Sequence, residues 1–124
     1  MILDAGPLID AERNRRRFAS LVKVALDEDA VLRTTDAIVA QVWRDRRQVN
    51  LSWALSAVEI RSEFGDGHRI GELLAATGTS DVVDAHLAVL ARRMSEPILT
   101  ADIDDLRLLG QQAGATVIDW NADS

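Results

Sequence analysis

Carboxylates are the side chains of this sequence best placed to do chemistry, and their spacing is not random. Asp4 directly follows the apolar run at 1–3, and Asp81 and Asp84 stand three residues apart at the head of a long apolar segment. Asp102 and Asp105 repeat that spacing just after the run 97–100. Residues three apart share one face of a helix, so each pair can aim two carboxylates at one point. Crowded carboxylates raise each other's pKa unless a cation neutralises them. A hard divalent ion, Mg2+ or Mn2+, prefers such oxygen ligands. The matching reaction class is metal-assisted phosphodiester hydrolysis, because such an ion stabilises charge growing on a phosphoryl group. Helix dipoles offer a second account of Asp81, Asp84, Asp104 and Asp105, which all suit a first helical turn. Asp4 fits that account least, since a carboxylate ending a strand buried on both faces needs a partner or a metal. The Thr100 hydroxyl can bond a carboxylate or phosphate oxygen, or cap the next helix.

The bulk composition narrows the alternatives. The chain has 124 residues, 14 basic and 20 acidic, for a net charge of -6. That length suits one domain over 1–124. With no cysteine, a disulfide scaffold, a thiol nucleophile and a cysteine-liganded zinc site are excluded. His68 and His86 are the only imidazoles, and neither has the spacing of a ligand pair. No run of 18 apolar residues occurs, and the start of the chain lacks a signal-peptide pattern, so a cytoplasmic protein with no membrane contact is expected. The acid excess opposes indiscriminate nucleic-acid binding, but arginines cluster at 13–17, 44–47 and 92–93. Such clusters are either solvated helix faces or phosphate-contacting surfaces.

These residues need elements to position them. Periodicity and turn chemistry predict a strand at 1–3, a turn at Gly6 and Pro7, and helices over 8–12 and 16–27. A strand at 31–32 follows, then a helix from 36 to 46 or 47 capped by Thr34 or Thr35, and a helix over 50–57. Next come a strand at 58–60, a turn at 65–67 and a helix over 68–76. The apolar-rich helix 81–94 is capped by Thr79 or Ser80, and the strand 97–99 ends at Thr100. A helix over 104–112 stops at Gly114, the last strand covers 116–118, and the polar tail from Asn121 frays. Short strands alternating with helices specify an α/β fold, a parallel sheet covered by helices. Ligands of open parallel sheets bind beyond the carboxyl ends of the strands, where Asp4 and Asp102 then lie.

Four segments carry a more specific signal: MILDAGPLI, TTDAIVAQVW, TSDVVDAHLAVLARR and ILTADIDDLRLL. In this order they resemble the PIN-domain family, and more closely the toxin components of VapBC toxin–antitoxin modules. The resemblance covers nearly the whole chain. It implies a PIN-like three-layer α/β/α sandwich and an endoribonuclease using Mg2+ or Mn2+. Carried over position by position, Asp4, Asp84, Asp102 and Asp105 match the acids that hold the metal and carry catalysis. Asp81 is an extra acid one turn before Asp84, and Thr100 ends the strand before Asp102. Gln41 is a departure, standing where the family usually has Glu; it can offer an amide oxygen but no charge. The resemblance further implies an RNA substrate, a cognate antitoxin protein and a homodimer. Arg15, Arg16, Arg44 and Arg46 are the expected contacts to the RNA backbone. Because of Gln41 a second reading stands beside the first: a catalytically weakened PIN module that works by binding antitoxin or RNA.

Overall fold

A computed structural model describes residues 1–122. Five strands form one wholly parallel sheet: β1 (Ile2–Leu3), β2 (Arg33–Thr35), β3 (Glu59–Arg61), β4 (Ile98–Thr100) and β5 (Val117–Asp119), in the order β3-β2-β1-β4-β5. Helices α1 (Ala5–Arg13), α2 (Arg15–Asp27), α3 (Asp36–Val42) and α4 (Val49–Ser56) pack together in one layer. Helices α5 (Gly67–Thr77), α6 (Val82–Met94) and α7 (Ile103–Ala113) pack together in the other. Right-handed crossovers require this division, because the chain first moves from β1 toward β3 and then returns to build β4 and β5 on the opposite side. The result is the three-layer α/β/α sandwich of PIN-like architecture.

The central strands are short and buried, mostly by apolar side chains. Ile2, Leu3 and Ile98 are buried without remainder, as two-sided burial in a parallel sheet demands. Helix α6 is the core helix of its layer, with Ala85 to Ala91 all buried. Among the described residues no single helix is long and apolar enough to cross a membrane. Opposite, Phe18 of α2 meets Trp53 of α4 edge-on at 6.2 Å between ring centroids. Trp120 lies under the Arg17 guanidinium at 4.0 Å and donates from Nε1 to Asp10 at 3.2 Å, fastening the end of β5 to α1 and α2.

Several boundaries differ from the sequence expectation. The second strand is Arg33–Thr35, not 31–32: Val31 is exposed, while Thr34 is fully buried and donates its hydroxyl to the Leu3 carbonyl at 2.9 Å. A threonine with a backbone acceptor fits a central strand as well as valine does, so polarity misleads there. Helix α3 ends at Val42 rather than at 46 or 47, because the Gln48 side chain takes over the local hydrogen bonds. Its amide donates to the Val42 carbonyl at 3.0 Å, and its oxygen accepts from the Arg44 and Asp45 backbones at 2.6 and 3.1 Å. Asp81, not Thr79 or Ser80, caps α6. The tail expected to fray instead turns at Asn121, whose backbone donates to Asp119 Oδ1 at 2.9 Å; residues 123 and 124 lie outside the described residues.

Candidate functional site

The strand order places a topological switch point between β1 and β4. There the chain leaves β1 toward one side and β4 toward the other, opening a crevice beyond the strand ends. Asp4 is the residue immediately past β1, and Asp102 is the second residue past β4. Asp4 is the N-cap of α1 and only 7% exposed. Its Oδ1 accepts from the Ala5 backbone at 2.8 Å, and its Oδ2 accepts from the Thr100 hydroxyl at 2.7 Å. The same Thr100 oxygen accepts from the Asp102 backbone N–H at 2.9 Å. Thr100 is fully buried, so this one hydroxyl ties the two strand ends together. Thr100 bonds a carboxylate as expected, but it does not cap the next helix: Asp102 is the N-cap of α7, without a side-chain capping bond.

A cleft of about 420 Å³ opens between the N-terminal ends of α6 and α7, lined among others by Ser80, Asp81, Asp84, Asp104, Asp105 and Leu108. Asp81 caps α6 by accepting from the Asp84 backbone at 3.1 Å. Asp84, half-buried, is pushed up to about 7, first by desolvation and then by the charges of Asp4, Asp81 and Asp105. Asp105 is raised above the usual carboxylate range by its hydrogen bond with Asp102 and by that neighbour's charge. Asp4, Asp81, Asp84, Asp102 and Asp105 therefore form one electrostatic group. Among the described residues none of them is ion-paired with a basic side chain. Nor do three acidic or histidine side chains among the described residues stand close enough to make a ready metal-ligand set.

The donor chemistry fits a hard divalent cation. Every donor is a carboxylate or hydroxyl oxygen, and the group carries a local demand for positive charge that no side chain meets.

Asp4, Thr100, Asp102, Gln41 and the four expected arginines are not among the residues lining the cleft. The Gln41 side chain is exposed near the end of α3 and makes no hydrogen bond among the described residues. Arg15 and Arg16 open α2, separated from Asp4 by the length of α1, on the order of 14 Å at 1.5 Å per residue. Arg15 stacks over Trp53 at 4.3 Å. Arg44 bonds the carbonyls of Ala40 and Trp43 at 3.3 and 2.8 Å, and Arg46 is exposed in the loop beyond α3. His86 is buried with Nε2 unpartnered and its ring 4.9 Å from Phe64; burial pushes its pKa down. Sequence reasoning did not pick out Ser80 and Leu108 as cleft residues. Leu108 stands one turn after Asp104 and Asp105, a signal present in the helical spacing but masked by its apolar character.

No family model matches the chain, and no curated protein matches it significantly.

Proposed function

We propose that this chain is a Mg2+- or Mn2+-dependent endoribonuclease, the toxin partner of a cytoplasmic toxin–antitoxin pair. The observation that supports the reading is Asp84, raised to about 7 first by burial and then by the charges of three other carboxylates, beside the switch point of a PIN-like sheet and with no basic side chain paired to the group. Structural ion pairs lower carboxylate pKa values, whereas Asp84 and Asp105 are raised, which supports a site arranged for an external cation. A bound Mg2+ or Mn2+ supplies neutralisation and Lewis acidity toward a phosphodiester. Asp4 and Asp84 hold the ion, Asp102 and Asp105 complete its surroundings, and Thr100 keeps the Asp4 carboxylate in one orientation. The N-terminal ends of α6 and α7 flank the acidic cleft, and their dipoles favour an anionic phosphate there. Arg15, Arg16, Arg44 and Arg46 contact the RNA backbone outside the crevice. A basic segment of the cognate antitoxin complements the acidic cleft, and the toxin works as a homodimer.

The exposed, uncharged Gln41 supports a second reading, a weakened module acting mainly by binding antitoxin or RNA. Cleavage of a structured RNA pool by purified protein separates the two. Mn2+-dependent scission that chelation abolishes and Asp84→Asn removes supports the nuclease. RNA retention without scission at any Mn2+ concentration supports the binding module.

A further inference from the structure

Gly6 sits in the first turn of α1, where glycine is an unfavourable choice: its φ is not in the left-handed region and it caps nothing. Helix propensity alone makes Gly6→Ala a stabilising change. Space makes the opposite demand. A Cβ at Gly6 would fall well inside contact distance of the Ala101 Cβ, 3.0 Å from the Ala101 nitrogen and 3.2 Å from its α-carbon. Backbone atoms cannot rotate out of the way, so the 100–102 segment would have to move. Ala101 is exposed on its outer side, so the segment has room to move without unfolding the core.

That segment carries one bond across to the end of β1 and one local bond that holds the Asp102 backbone. Thr100 donates to Asp4 Oδ2 at 2.7 Å and accepts from the Asp102 N–H at 2.9 Å. The Asp4 N–H donates to the Leu99 carbonyl at 2.9 Å, completing the seam. We propose that Gly6 is a positioning residue: its bare α-carbon lets Ala101 seat against α1, and this contact, transmitted through Thr100, sets the separation of the Asp4 and Asp102 carboxylates. The part that concerns the cation rests on the metal-binding reading above. The part that concerns the seam does not.

The test compares wild type, Gly6→Ala and the Gly6→Ala/Ala101→Gly pair, with amide hydrogen exchange at Asp102 and Mn2+ titration as readouts. Gly6→Ala is expected to speed Asp102 exchange and weaken Mn2+ binding, each about tenfold, while the melting transition stays cooperative. Removing the Ala101 methyl in the double variant is expected to recover most of both losses. Unchanged Asp102 exchange in Gly6→Ala, or losses that Ala101→Gly leaves in place, would overturn the proposal. If the wild type binds no Mn2+, the metal reading fails, and the exchange data still decide the seam. Should Gly6→Ala not fold, Thr100→Val and Thr100→Ser replace it: valine must reproduce the fast exchange and serine must not, and the reverse result counts against the seam.

Discussion

The same kind of side chain behaves in opposite ways on two parts of this molecule. Along β2, β3 and the end of α6, acids alternate with bases. Arg33 bridges Glu96 at 3.0 Å and Glu59, Arg61 bridges Glu59 at 3.0 Å and Glu63, and Arg93 bonds Asp66 at 2.6 Å. Glu63 is lowered by Arg61, and Glu96, although burial opposes it, is lowered by its hydrogen bonds with the chain's first ammonium and Arg33. Beyond the carboxyl ends of β1 and β4, no acid of the group is paired with a basic side chain among the described residues, and Asp84 and Asp105 are raised. The difference separates acids whose charge is matched inside the fold from acids left without a basic partner, and the proposed cation site rests on the second group.

The largest effect should separate the two groups by activity. Asp4→Asn or Asp84→Asn is expected to lower Mn2+-dependent RNA cleavage at least about a hundredfold, as loss of groups acting at the reacting phosphate does, with the circular dichroism spectrum unchanged. Glu59→Gln, on the paired side, is expected to leave the rate within about twofold. Equal losses in both places would erase the distinction. Introducing charge is the next test: Gln41→Glu is expected to raise cleavage about tenfold, roughly 1.4 kcal/mol, if α3 supplies a fourth side to the cation, read from initial rates at saturating Mn2+.

Stability measurements sharpen the comparison from the other direction. An unfolded Asp84 ionises near 3.8, while the folded one keeps its proton to about 7. Between those values the native state binds more protons than the unfolded one, so this group's contribution falls as pH rises from about 4 to 7 and is flat above. Asp84→Asn removes the penalty. It is expected to stabilise the metal-free protein by about 1–2 kcal/mol at pH 8, after allowance for solvent screening, and by nothing measurable at pH 4. Arg33→Ala should do the reverse, leaving Glu96 with only the first ammonium and Glu59 with only Arg61, at a cost of about 1 kcal/mol in urea denaturation at pH 7. The smallest effect belongs to the distant arginines. Arg15→Ala is expected to weaken RNA binding only a few-fold and to lower the salt slope by about one, measured by fluorescence anisotropy.

Much of this was legible in the sequence, for identifiable reasons. The alternation of short strands with helices, the caps at Thr35 and Gly114, and the placement of Asp4 and Asp102 past their strands follow from local pattern. Thr34 was not legible as strand core, because its burial depends on the Leu3 carbonyl, 31 residues away. The end of α3 was hidden because a side chain, Gln48, and no breaker residue stops it. The fit of Gly6 against Ala101 joins residues at opposite ends of the chain and leaves no periodic trace; in sequence, Gly6 is only a turn signal. Electrostatic grouping of the acids was expected from their types. Its strength comes from desolvation at Asp84, a property of the folded surroundings.

Calorimetric titration of the purified, chelator-stripped protein with Mn2+ at pH 8, run beside Asp84→Asn and Glu59→Gln, tests the central claim most directly. The account predicts saturable binding in wild type and in Glu59→Gln, and its loss or weakening by at least about tenfold, some 1.4 kcal/mol, in Asp84→Asn. No saturable binding in wild type, or equal affinity in Asp84→Asn, would contradict it.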